Sequence, residues 1–349
     1  MRVPPRWVRR VILAPLVVIA APVIVLALPT VLVVLLIIAS LIPDRFRWPR
    51  AIVLVLVYLL WDAALLVVLF ALWVASGFGW KLRSHAFVHA HYAVGGFALR
   101  VLFWVFGVIL RLKITTEAAL PSGEPVDVDD VFEAAVPLVV ASRHAGPGDS
   151  FIVIHTLLNG AGRHSRIVLK DTMQWDPAVD VLLNRIPTRF ITPRGFGKGA
   201  SGGGKAVEAQ IADLARGLGR DDALVIFPEG GNATASRRVS RIDRLRASGR
   251  DALADRAEGM RHVMPPQPGG VHAALREASE ADMVFIAHAG LDSLITVRDI
   301  WKALPVDKRV TMHAWRVPRA EIPADAAAQA EWLFGWFERI DAWIDANSD

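Results

Sequence analysis

The apolar positions fall into two regimes that meet near residue 113. Val11 to Ile42 contains no charged residue and is interrupted only by Pro15, Pro22 and Pro29, spaced seven residues apart. A membrane-spanning helix needs roughly 20 consecutive apolar residues, and this run exceeds that. Ala51 to Trp80 holds a single charge, Asp62. Val101 to Leu110 is apolar between Arg100 and Arg111, but ten residues are too few to span. Its Phe103, Trp104 and Phe106 suit a helix lying in the membrane interface. The pattern therefore predicts a membrane-embedded region over residues 1–80, as two spans or two dipping hairpins, and an interfacial helix within 81–112.

From residue 113 short β-branched runs alternate with helical ones. Strands are expected at Val136–Ser142, Arg166–Lys170, Arg189–Thr192, Ala223–Phe227, Met283–His288 and Arg309–Trp315. Helices are expected at Ser150–Asn159, Pro177–Asn184, Lys205–Leu218, Arg237–Glu258, Val271–Glu280 and Ala324–Ala346. Such alternation argues for an α/β layer domain over 113–349. Pro121–Pro137 reads as an acidic loop and Pro265–Gly270 as an irregular connector. The last helix carries Trp332, Leu333, Trp336, Phe337, Ile340, Trp343 and Ile344 at helical spacing, a face for the sheet or for lipid headgroups.

Charge sharpens this division. The net charge of +5 conceals +9 on residues 1–112, where eleven Lys/Arg face only Asp44 and Asp62, and −4 on the remainder. Without a basic stripe on the α/β part, nucleic acid is not an expected partner, whereas an anionic bilayer is. Arg2, Arg6, Arg9 and Arg10 place the amino terminus in the cytoplasm by the positive-inside tendency. Two spans or two hairpins both return the following domain to that side. A cleaved signal peptide fits poorly, because the apolar run is too long and no cleavage site is evident. The chain has no cysteine, which excludes disulfides, thiolate metal sites and a thiol nucleophile.

Candidate chemistry lies where buried strands end. Ser142-Arg143-His144-Ala145-Gly146-Pro147-Gly148-Asp149-Ser150 leaves a strand, turns and enters a helix. A turn can bring Asp149 onto one nitrogen of His144, freeing the other to take a proton from a hydroxyl. The plainer alternative makes Asp149 the N-cap of the helix and His144 a loop residue. Val225-Ile226-Phe227-Pro228-Glu229-Gly230-Gly231-Asn232 again places a carboxylate after a buried strand; a surface charge is the plain alternative. Phe190–Gly199, with Arg194 and Lys198 among glycines, suits either a phosphate cradle or a flexible linker.

In this order, His144-x-x-x-x-Asp149, Arg194 and Phe227-Pro228-Glu229-Gly230 resemble the glycerolipid acyltransferases, and most of all the lysophosphatidic acid acyltransferases. Met260–Gly270 is similar to the family's Leu/Pro-rich segment. The resemblance covers about residues 113–317. It implies an αβα acyltransferase fold, with His144 as general base and Asp149 as its orienting partner. It implies Arg194 and Lys170 for the acceptor phosphate, and Glu229 and Gly230 to complete the acceptor site. The implied reaction moves a fatty acyl group from acyl-CoA or acyl carrier protein, a co-substrate, to the free hydroxyl of a lysophospholipid. It needs no cofactor and no metal. The implied localisation is the membrane, with the catalytic domain on its cytoplasmic face. Four features differ from the family's usual pattern: Arg143 replaces Asn, Ala145–Gly148 replaces bulkier residues, Gly231 replaces Thr, and Phe285-Ile286-Ala287-His288-Ala289 replaces a proline-containing strand. They motivate the rival reading, a membrane-anchored lipid-binding or scaffold protein with a degenerate site. A third reading, a hydrolase with His144 and Asp149 as metal ligands, lacks an evident second ligand cluster.

Overall fold

The computed structural model describes residues 3–41, 47–133, 135–144, 148–191, 204–231, 234–290 and 309–348. The chain divides into two compact units, one of residues 1–113, 169–200 and 297–308, the other of residues 114–168, 201–296 and 309–349.

The first unit is built on three long helices: α1 (Ala14–Leu41), α2 (Arg47–Ala75) and α3 (His85–Leu110). All three are long and apolar enough to cross a membrane, α1 together with the preceding turns from Val8. Pro22 and Pro29 lie inside α1 without ending it. Val101–Leu110, expected as a short interfacial helix, forms the last ten residues of the 26-residue α3. Arg100 does not end the helix, because a single long side chain can leave an apolar face without breaking backbone hydrogen bonds. The helix instead stops at Arg111, whose φ of +50 is left-handed.

Short elements of the same unit, α6 (Pro177–Leu183) and β5 (Thr188–Ile191), follow α3. Leu65, Leu66 and Leu69 of α2, Ala98 of α3, and Ala178 and Val181 of α6 form one buried cluster. Asp62, the lone charge of the second apolar run, accepts the Ala178 backbone N–H at 3.0 Å. It therefore satisfies the exposed amide end of α6 and is buried against protein.

The second unit holds strands β1 (Lys113–Ala119), β2 (Pro125–Val126), β3 (Leu138–Ser142), β4 (His164–Lys170), β6 (Asp222–Ile226), β7 (Asp282–Ala289) and β8 (Arg309–Val317), with the ends of β1 and β4 reaching into the first unit. They run in the order β2-β1-β8-β7-β3-β6-β4. β3 is parallel to both β6 and β7, β4 is parallel to β6, and β8 is antiparallel to β7. Every residue of β3 is buried, as expected of a parallel strand covered on both faces.

Around the sheet lie α4 (Val128–Phe132), α5 (Asp149–His155), α7 (Gly204–Ala215), α8 (Ala235–Ala247), α9 (Asp251–Gly259), α10 (Pro268–Glu277) and α11 (Ala326–Asn347). The expected helix Arg237–Glu258 is two, divided at Ser248–Arg250, where Gly249 has φ +73. The acidic loop 121–137 contains β2 and α4, whose N-cap Asp127 accepts the Asp129 N–H at 3.0 Å. α11 packs on the sheet: Leu333, Phe337, Ile340 and Ile344 are fully buried, and Trp336 stacks on Phe285 of β7 with centroids 4.4 Å apart.

Candidate active site

Because β3, β6 and β7 are parallel neighbours, their carboxyl ends open on one edge of the sheet, where ligand-binding groups of α/β domains gather. Three segments meet there. The register pairs Ser142 with Ile286. His144 lies two residues beyond the first and His288 two beyond the second, so the pairing brings the two histidines together. The Arg143 N–H continues the ladder to the Ile286 carbonyl at 3.2 Å.

Asp149 is the first residue of α5, after Gly148 as the N-cap. Its side chain is fully buried and lies between two imidazoles, 3.5 Å from His144 Nδ1 and 3.6 Å from His288 Nε2. The intervening turn, residues 145–147, lies outside the described residues. The His144 side chain is 11% exposed while Nδ1 itself is buried, so its accessible edge lies away from Asp149. Phe227 lies beside the ring, centroids 4.7 Å apart.

Glu229, at the turn after β6, is fully buried. Oε1 accepts the His144 backbone N–H at 2.8 Å and Oε2 accepts that of Met264 at 3.1 Å. One carboxylate thus fastens the histidine's backbone to the segment 260–266. Burial pushes its pKa up to about 7, against those two hydrogen bonds and the charges of Arg143 and Arg241. Arg241 donates Nη1 to the Pro265 carbonyl at 2.8 Å and Nη2 to the Glu229 carbonyl. Asp341 of α11 holds the same segment, accepting the N–H groups of Arg261, His262 and Val263 at 2.9, 2.6 and 3.1 Å.

Two departures from the family pattern have local reasons. Arg143 is buried and donates to the carbonyls of His288 at 2.7 Å and His262 at 3.0 Å, tying β7 and the 260s segment to the histidine's neighbour. Gly231 has φ +141, a conformation that would strain a threonine, and a Cβ there would require the Arg237 guanidinium, 2.5 Å away, to shift. Gly230 is alike: φ is +60 and a Cβ would meet Gln267 Nε2 at 2.5 Å.

Of the residues singled out in the sequence, His144, Asp149, Glu229 and Gly230 share this strand edge. Lys170 ends β4, half-buried, in the part of that strand belonging to the first unit. Arg194 lies outside the described residues, as does most of the glycine-rich segment around it. His288 was not anticipated as a site residue. The available signal was a histidine near the end of a buried strand, but its separation of 139 positions from Asp149 gives no spacing to read. Among the described residues no group of three or more His, Asp or Glu side chains is arranged to hold a metal ion.

Residues 124–290 match the family model described as Acyltransferase. The matched stretch contains His144, Asp149, the Phe227–Gly230 turn and β7, so the resemblance to glycerolipid acyltransferases stands, and the match supports acyltransferase activity. No curated protein matches the chain in sequence. Among solved structures it is similar to the 1-acyl-sn-glycerophosphate (LPA) acyltransferase PlsC from Thermotoga maritima, with 11% identity and a TM-score of 0.45, over 80% of this chain and 96% of that one.

Proposed function

We propose that the protein is an integral membrane O-acyltransferase. It moves a fatty acyl group from acyl-CoA or acyl carrier protein to the free glycerol hydroxyl of lysophosphatidic acid, giving phosphatidic acid for phospholipid synthesis. The observation carrying this reading is the His144–Asp149 pair on the strand edge, braced through the His144 backbone by Glu229.

Asp149 holds the proton on Nδ1 of His144, and the other ring nitrogen accepts the proton of the lysolipid hydroxyl as its oxygen attacks the thioester carbonyl. The new C–O bond forms, the C–S bond breaks, and the imidazolium returns its proton to the departing thiolate. Atoms and charge balance without an acyl-enzyme. Asp149 stabilises the imidazolium in between, and its burial keeps that interaction out of high-dielectric water. Arg194 and Lys170 bind the acceptor phosphate, a job suited to cations that donate several hydrogen bonds. Glu229 completes the acceptor site by fixing backbone, and Gly230 by taking the left-handed conformation that the turn after β6 requires.

α1 and α2 cross the bilayer as a hairpin, with the catalytic unit on the cytoplasmic side of the arginine-rich amino terminus. Membranes containing the protein, assayed against a panel of lysolipids with both donors, test the whole reading. Acyl transfer to lysophosphatidic acid is expected. A folded protein without transfer from either donor to any lysolipid would return the chain to the scaffold reading. Alkaline carbonate should leave the full-length chain in the membrane pellet.

A further inference from the structure

The first unit contains a cleft of about 1230 Å³ that the catalytic reading does not use. Small-ligand pockets commonly measure about 300–1,000 Å³, so this one has room for something the size of a phospholipid. Its apolar wall comes from Val11, Ala14 and Val18 on the first helix and from Leu66, Phe70 and Trp73 near the end of α2. Its polar wall comes from Arg6, Arg10, Arg83, Arg185 and Arg189. No Asp or Glu is among its lining residues.

The arginines are not spread along the wall. Arg6 and Arg10 stand where the first long helix begins, and Arg83 stands in the turn between α2 and α3. They gather at one end of the helices while the apolar wall follows the helices away from them. In a spanning hairpin that end lies at headgroup depth and the wall lies along the acyl chains.

Charge is unbalanced at the polar end. Asp180 is the acid nearest these groups, and it already pairs with Arg9 at 3.2 Å and with Arg10 at 3.3 Å. Arg10 still has Nη2 buried without a hydrogen-bond partner among the described residues. Arg185 donates to the Leu69 carbonyl at 2.7 Å, a bond that leaves its charge uncompensated. Its pKa is lowered to about 10 by burial and then by the neighbouring Arg10, which leaves it charged at neutral pH. One acid shared between Arg9 and Arg10, with Arg185 beside them, leaves positive charge in excess next to the cavity, and that excess favours a further anion because a buried charge without a counter-ion is costly.

We propose that this cleft binds one anionic glycerophospholipid, its phosphate among the arginines and an acyl chain against α1 and α2. The site belongs wholly to the helical unit, and its test reads binding, independently of acyl transfer.

The test uses the full chain purified in detergent, incubated with dioleoyl phosphatidylglycerol or dioleoyl phosphatidylcholine, with native mass spectrometry counting retained lipid. One phosphatidylglycerol per chain is expected, preferred over phosphatidylcholine by about tenfold, equivalent to about 1.4 kcal/mol. Arg83→Gln with Arg189→Gln should abolish that preference; both side chains are exposed, so the fold should survive, with thermal melts as control. Val67→Trp, which crowds the apolar wall, should weaken retention of both lipids. Equal retention of the two lipids, or an undiminished preference in the double arginine variant, would overturn the proposal. So would full displacement by millimolar inorganic phosphate, which would mark a site for free phosphate alone.

Discussion

Two buried clusters, Asp180 with its arginines in the helical unit and Glu229 with its neighbours at the strand edge, hold charge in opposite ways. In the helical unit Asp180 is buried between two guanidiniums, Arg9 and Arg10. Opposite charges answer each other, and the group serves to join α6 to the start of the first helix. Around the strand edge the buried charges are answered mainly by backbone. Glu229 takes two amide N–H groups, Arg143 gives to two carbonyls, and Arg241 gives to two more. Backbone dipoles hold a charged side chain in place without cancelling its charge. The first arrangement fixes structure. The second fixes geometry around His144, the base of the proposed reaction, without supplying a counter-ion that would compete for Asp149.

The largest effect should come from removing the proton acceptor. His144→Ala is expected to lower kcat by about two to four orders of magnitude, measured as acyl transfer to lysophosphatidic acid, with melting temperature nearly unchanged. Wild-type turnover in a folded variant would place the strand edge with the structural charges. Asp149→Asn comes next, with a loss of about a hundredfold or more, as expected when a carboxylate that orients and stabilises an imidazolium is neutralised. Asn would serve a helix terminus almost as well as Asp, so retained activity would favour a purely structural role.

The helical unit should respond in stability. Asp180→Ala leaves Arg9 and Arg10 without their common partner, at a cost of about 3–5 kcal/mol, read from denaturant or thermal unfolding in detergent. A change below about 1 kcal/mol would mean the trio behaves like an exposed surface pair. Glu229→Gln should cost about 1–3 kcal/mol, because the amide NH₂ would face a backbone N–H. The pH dependence has a definite sign. The pKa of Glu229 rises on folding from 4.5 to about 7, so the folded state holds its proton over that interval and the unfolded state does not. Wild type should therefore lose stability relative to Glu229→Gln as pH rises through that window, and not above it. The smallest effect is expected at His288. His288→Leu should lose activity severalfold through a looser Asp149, and His288→Gln, which keeps a donor, should recover most of it.

Much of this was legible along the chain. Apolar runs marked α1 and α2 but only the last ten residues of α3, the expected β-branched strands came out within a few residues, and the spacing of His144 to Asp149 left a pair and a helix cap both open until the family resemblance was added. These are local properties, and hydrophobic period and turn chemistry report them directly. The loop 121–137 was less legible, since its β2 and α4 are too short to show a period. Arg143 looked like a departure because its reason lies in carbonyls 119 and 145 residues away.

The sequence alone set an apolar, basic stretch apart from one of alternating strand and helix patterns, and it supplied the residue types capable of moving a proton. Only the tertiary structure decided that Glu229 turns inward to hold the His144 backbone, that Asp62 closes the end of α6, and that His288 shares Asp149. The reason is physical. A helix or strand is specified by neighbours a few residues away, whereas the partner of a buried charge is whichever polar group the packed sheet brings within about 3 Å.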